Sequence, residues 1–205
     1  MKENYIWEIN VKNTPLLKRK CSHCNSDRFY CSKKFRMNSQ KRNIDVWLIY
    51  KCVKCDKTYN LPILTRTKPE LIHKSLFDKF SENSETLARA YAFSSEAIGC
   101  SNVELDYSSV EYGISHDSIS VEDMLNNHNE TVAFKIKTEF SLNIKLPTII
   151  RKCLKLSARQ LDMLIEAKAI SITENGSIKK RKLKDGDIIQ VDKKKLADIV
   201  RTAKW

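Results

Sequence analysis

The sequence is short of the residues that interrupt regular structure. Its 205 residues include only four Gly and four Pro, so long flexible linkers are not expected. Nor does it contain an apolar run approaching the ~18 residues that a membrane-spanning helix requires. The start, Met1-Lys2-Glu3-Asn4-Tyr5-Ile6-Trp7, lacks both an apolar stretch and a small-residue cleavage site, which argues against a signal peptide. There is no Gly-rich phosphate loop, no His-Glu-x-x-His and no Gly-x-Ser-x-Gly elbow. Ser115, His116 and Asp117 are adjacent, but a catalytic triad depends on arrangement in space and not on neighbours in the chain. These absences point to a cytoplasmic, non-catalytic protein with no recognisable small-molecule substrate.

Cysteine is present with a pattern. Four of the seven form two Cys-x-x-Cys pairs, Cys21/Cys24 and Cys52/Cys55, with 27 residues between the pairs. In a reducing compartment such pairs read as metal ligands and not as disulfides. A two-residue gap lets one tight turn present two thiolates to one ion, and four soft ligands complete a tetrahedral Zn²⁺. Cys21, Cys24, Cys52 and Cys55 are therefore the expected ligands of a structural Zn²⁺. Four protein ligands leave no open position for metal catalysis. Cys31, Cys100 and Cys153 read as free buried thiols, and His23 as an outward-facing knuckle residue.

The net charge of +12 is unevenly spread. Residues 1–67 carry 15 Lys and Arg against 5 Asp and Glu, residues 68–144 carry 6 against 13, and residues 145–205 carry 16 against 7. Two basic ends around an acidic middle suggest a polyanionic partner, with nucleic acid ahead of membrane.

Residues 4–12 alternate, with Tyr5, Trp7, Ile9 and Val11 on one face, as in a half-buried strand. Strands are expected from Arg28 to Met37, Ile44 to Lys51 and Thr58 to Leu64, the last at an edge because it contains Pro62. With the knuckles they make a three-stranded antiparallel ribbon too small to stand without its metal. Pro69 opens a helix, Ser84 caps a second, and residues 103–107 and 131–145 read as strands, the latter with a break or bulge near Thr138-Glu139. Further on, Pro147 to Leu154 and a Ser157-capped segment read as two helices. An Asn175-Gly176 hairpin and a helix from Lys193 to Trp205 follow.

The stretches Leu156-Ser157-Ala158-Arg159-Gln160-Leu161, Leu164 to Ile170 and Leu183-Lys184-Asp185-Gly186-Asp187-Ile188-Ile189 resemble the S4-type RNA-binding domain. That resemblance covers about Leu142 to Val191 and implies two helices and a hairpin presenting a basic face to structured RNA. The chain departs from the pattern at Lys145-Leu146-Pro147, where an Asp is lost. It departs again at Ala158, where the family has Arg and this chain supplies Arg159 one position later, about 100° further round the helix. The chain as a whole is also similar to a bacterial family of uncharacterised proteins. That similarity rests on Trp7, Cys21-x-x-Cys24, Phe35-Arg36-Met37-Asn38, Ile44 to Cys52, the second knuckle and Leu87 to Phe93. It implies a domain of unknown function and so assigns no activity.

The expected class is α+β: an N-terminal three-stranded zinc-ribbon domain with its preceding strand (1–67), an acidic α+β middle region of helices and strands (68–144), and a basic S4-like domain with a C-terminal helix (145–205). The expected function is binding of structured RNA, in association with the ribosome or apart from it. Candidate phosphate contacts in the ribbon are Lys18, Arg19, Lys20, Lys33, Lys34, Lys41 and Arg42. In the C-terminal domain they are Lys145, Arg151, Lys152, Arg159, Lys179, Lys180, Arg181 and Lys182. Tyr30, Phe35 and Trp47 are candidate stacking residues where exposed. The alternative is a protein-interaction adaptor built on a structural ribbon.

Overall fold

The computed structural model describes residues 4–40, 42–99, 103–117, 119–173 and 176–202. Strands β1 (Asn4–Val11), β2 (Leu16–Lys18), β3 (Arg28–Gln40), β4 (Asn43–Cys52) and β5 (Thr58–Thr67) come first. Helices α1 (Lys74–Ser81), α2 (Glu85–Phe93) and α3 (Ser95–Gly99) follow, then β6 (Glu104–Asp106) and β7 (Tyr112–His116). The chain ends with α4 (Val121–Asn126), β8 (Thr131–Thr138), α5 (Leu146–Cys153), α6 (Ala158–Glu166), β9 (Ile170–Ile172), β10 (Ile188–Asp192) and α7 (Lys193–Thr202). The result is a mixed α+β protein with two five-stranded sheets. None of the described helices is long and apolar enough to cross a membrane.

Packing divides the chain into residues 12–111 and a second unit of residues 1–11 with 112–205. These units do not follow the charge blocks 1–67, 68–144 and 145–205. The physical reason is that β1 finds its partners in β7 and β8, far along the chain, and that the apolar face of the ribbon needs the helices after residue 68 as its cover.

In the unit of residues 12–111 the strand order is β5-β4-β3-β2-β6, all antiparallel. The three expected ribbon strands are present and β5 lies at the edge, but β2 and β6 widen the sheet from three strands to five. The inner face buries Phe29, Cys31, Phe35, Leu48, Tyr50 and Leu61. Helices α1 and α2 cover it through an aromatic cluster in which the Phe35 ring lies 4.9 Å from Phe80 and 6.1 Å from Tyr91. Ser84 caps α2, its hydroxyl accepting from Leu87 N. Pro69 opens a 3-10 turn (Pro69–Leu71), and α1 starts only at Lys74.

The other unit is a sheet in the order β7-β1-β8-β10-β9, parallel at β1/β8 and antiparallel elsewhere. Trp7 and Ile9 of β1 are buried, and the Trp7 ring stacks 4.5 Å from Phe134. Helix α5 buries Leu146, Ile149, Ile150 and Cys153. Helix α6 opens with a reciprocal cap between Ser157 and Gln160. Strand β8 stops at Thr138, and Phe140 and Leu142 are buried beyond it. The partner of β9 is β10; the expected Asn175-Gly176 turn includes Asn175, which lies outside the described residues. Backbone bonds from Leu146 N to Arg181 O at 2.9 Å and from Leu183 N to Ile144 O at 2.8 Å tie the segment before β10 to the start of α5.

Candidate metal centre

Two tight turns project from the sheet of residues 12–111. In the first, Arg19 N bonds Asp27 O at 2.9 Å and Cys21 N bonds Ser26 O at 2.8 Å, which folds Cys21 and Cys24 back over β2 and β3. In the second, Cys52 N bonds Lys57 O at 3.0 Å and Asp56 takes a left-handed φ of 57°. Aspartate tolerates that conformation better than most residues. The hydroxyl of Tyr30 donates to Asp56 Oδ1 at 2.8 Å and fixes the turn from the side.

Together the turns bring the Sγ atoms of Cys21, Cys24, Cys52 and Cys55 within 4.8 Å of one another. Cys21 and Cys55 Sγ are 3.6 Å apart, as are Cys24 and Cys52 Sγ. A tetrahedron with metal–sulfur bonds of about 2.3 Å has edges of about 3.8 Å, so the four sulfurs already stand at metal-binding distances. The four Cys can hold one metal ion. His23, inside the first knuckle, is exposed, and it serves the cluster through its backbone N–H, which donates to Cys21 Sγ at 3.4 Å.

The electrostatics of the cluster need a cation. The His23 N–H lowers the Cys21 thiol. Burial raises Cys52, but the N–H groups of Lys54 and Cys55 outweigh it and bring that thiol to about 6. Cys55 accepts from the Lys57 N–H, which lowers it, yet burial and the crowding of Cys24, Cys21 and Cys52 push it up to about 12. Four sulfurs so close cannot all ionise without a positive charge among them.

An ion pair ties the first knuckle to the sheet edge. Arg28 Nε meets Asp106 Oδ2 at 2.8 Å, and Arg28 Nη1 meets Asp27 Oδ2 at 2.7 Å. Asp106 lies below its ordinary value because the Ser108 hydroxyl and Arg28 both bond its carboxylate. Cys31 and Cys153 are buried and not ligands; burial raises both thiols, Cys153 to about 12. Cys100 lies outside the described residues.

The candidate nucleic-acid residues fare unevenly. Several are engaged by the protein itself. Lys18 pairs with Glu104 at 3.4 Å, Lys33 pairs with Glu85, and the Arg19 guanidinium lies 4.2 Å over the Tyr59 ring. Lys179 bridges Asp162 at 3.1 Å and Glu166 at 3.3 Å. Lys152 sits over the Tyr112 ring at 4.8 Å, and Arg151 Nε donates to Leu156 O at 3.3 Å. Arg181 is turned inward against Asp187, with 12% and 2% of the two side chains exposed. Lys20, Lys34, Arg42, Lys145, Arg159, Lys180 and Lys182 are exposed and form no ion pair among the described residues. Lys41 lies outside them. Of the candidate stacking rings, Phe35 is buried in the core, Trp47 is half-buried and Tyr30 is exposed. The sequence reading missed Arg36 and Lys51, which share the outer sheet face with Lys34. The alternation of buried and open positions along β3 and β4 is the signal that places them there.

The chain belongs to the family described as "Protein of unknown function (DUF1062)", which matches residues 37–176. The match spans the second knuckle and stops short of the first. Comparisons with curated proteins and with solved structures returned no match.

Proposed function

We propose that this protein is a non-catalytic, cytoplasmic RNA-binding protein whose four-Cys centre holds a structural Zn²⁺. Thiolates at tetrahedral spacing with no open position favour zinc over the hard cations, which prefer oxygen. The observation that carries RNA binding is the uncompensated charge: Lys20, Lys34, Arg42, Lys145, Arg159, Lys180 and Lys182 stay exposed and unpaired among the described residues. The order α5, α6, β9, β10 supports the S4-like reading of the C-terminal part. The test is filter binding of an RNA hairpin across a salt series, with zinc per chain measured on the same preparation. Tight binding at low salt that weakens by about 0.7–0.9 log units per phosphate contact for each tenfold in salt is the expected result. Absence of binding at low salt would overturn it.

One observation favours a second reading, a protein-interaction adaptor. Leu71 is 75% exposed and Phe77 of α1 is 38% exposed, an apolar pair open to a partner. A partner that co-purifies after nuclease treatment, and is lost in L71S/F77S, would support the adaptor.

A further inference from the structure

The sheet that carries the knuckles has a second face. Its inner face is covered by α1 and α2; its outer face is a shallow depression of ≈ 480 Å³ across β3, β4 and β5. Strand register arranges this face in rows. Tyr30 stands opposite Lys51, Lys34 opposite Ile49, and Arg36 opposite Trp47. Successive rows are about 7 Å apart, two residues along a strand. Each row therefore holds one cation, and the first and third also hold an aromatic ring. The bulge between Cys31 and Lys34, where Lys33 takes a φ of 61°, keeps Lys34 and Arg36 on this side.

Lys34, Arg36 and Lys51 form no ion pair among the described residues, and no carboxylate lines the depression. Two carboxylates lie at its ends and outside its lining: Asp45, paired across from Asn38 beyond the last row, accepts from Arg66 N at 2.7 Å, and Asp56 accepts from the Tyr30 hydroxyl. That same bond fixes the Tyr30 ring, which is 37% exposed.

We propose that this outer face is the docking surface for an unpaired RNA strand. Phosphates would meet Lys51, Lys34 and Arg36, and a base would stack on Tyr30, with the half-buried Trp47 beside Arg36 in the last row. The inference rests on the RNA-binding reading above and assigns it a place and a form of RNA. Charge complementarity calls for a polyanion. Ring faces on an open sheet call for bases freed from a helix, because A-form RNA buries its base faces and its deep groove admits no sheet.

The test uses the full-length zinc-loaded chain and fluorescein-labelled decauridine RNA in a fluorescence-anisotropy titration. K34A/R36A/K51A should lose about a hundredfold in affinity at 0.1 M salt, and its slope of log affinity against log salt should be shallower by about 2, as expected for three lost phosphate contacts. Tyr30→Leu should lose about tenfold with an unchanged slope, while Tyr30→Phe, which keeps the ring, should bind as wild type. Circular dichroism and zinc content establish that each variant is folded. A folded triple variant that binds as tightly as wild type overturns the proposal and leaves RNA binding standing. So does a duplex of the same length that binds as well as decauridine. Wild type that binds neither decauridine nor a hairpin at low salt overturns RNA binding itself.

Discussion

Cys52 and Cys55 sit in the same turn, yet one thiol lies at about 6 and the other at about 12. At neutral pH the metal-free cluster thus holds a proton on Cys55 that a bound cation must displace. Metal uptake should release at least one proton, and affinity should rise with pH, since protons compete for the same sulfurs. Calorimetry in buffers of different ionisation enthalpy would show this; uptake at pH 7 without proton release would contradict it. The Cys cluster was legible in the sequence because each knuckle is local: two ligands, two residues apart, on one turn. Ion pairs were not legible, because partners such as Lys33 and Glu85 meet only in the fold. Arg181 shows the cost of that blindness. It sits in a basic run, but the fold buries it against Asp187, which also accepts from Lys184 N at 3.0 Å. Asp187→Ala should cost about 3–5 kcal/mol in urea unfolding, since it breaks a buried ion pair and removes the acceptor of the Lys184 N–H. Lys180→Ala, one residue before Arg181 and exposed, should change stability by no more than about 0.5 kcal/mol.

Helix starts were largely legible because caps are local chemistry: Ser84 and Ser157 bond backbone groups within three residues. Strand existence was legible from alternation, but strand partners were not. Nothing in Tyr5, Trp7 and Ile9 says that β1 lies between β7 and β8, because pairing at that separation depends on the whole chain. Its interior place, paired on both sides by β7 and β8, makes β1 sensitive to the loss of a buried side chain. Trp7 is fully buried against Phe134, and its Nε1 has no hydrogen-bond partner among the described residues. Trp7→Ala should cost about 3–5 kcal/mol through the cavity it leaves. Trp7→Phe should cost clearly less, because it keeps the stacked ring and removes a buried unsatisfied donor. Equal losses for the two variants in denaturant titrations would mean that the indole N–H has a partner after all.

At the scale of the whole chain, residues 12–111 are inserted in sequence between β1 and β7. Val11 and Tyr112 are register partners at the end of the β1/β7 pair, and the unit of residues 12–111 leaves and returns at that point. Its own ends are closed by Lys12 N to Glu111 O at 2.9 Å, Glu111 N to Asn13 Oδ1 at 2.6 Å and Asn13 Nδ2 to Ser109 O at 2.8 Å. Joined ends of this kind mark a domain able to fold alone. The charge blocks hid this, because charge follows local composition and closure follows a contact between residues about a hundred apart in sequence. Two constructions separate the units. Residues 12–111 alone should fold in the presence of zinc and unfold on chelation, since a small knuckle-bearing sheet draws on its metal for folding free energy. Residues 1–11 joined to 112–205 through Asn-Gly should fold without metal, with a tight hairpin turn replacing the inserted domain. Thermal melts with and without chelator would read both. A zinc-free 12–111 that melts unchanged would show that the four cysteines do not staple the fold. A collapsed hairpin-closed chain would show that the outer unit depends on the inserted one.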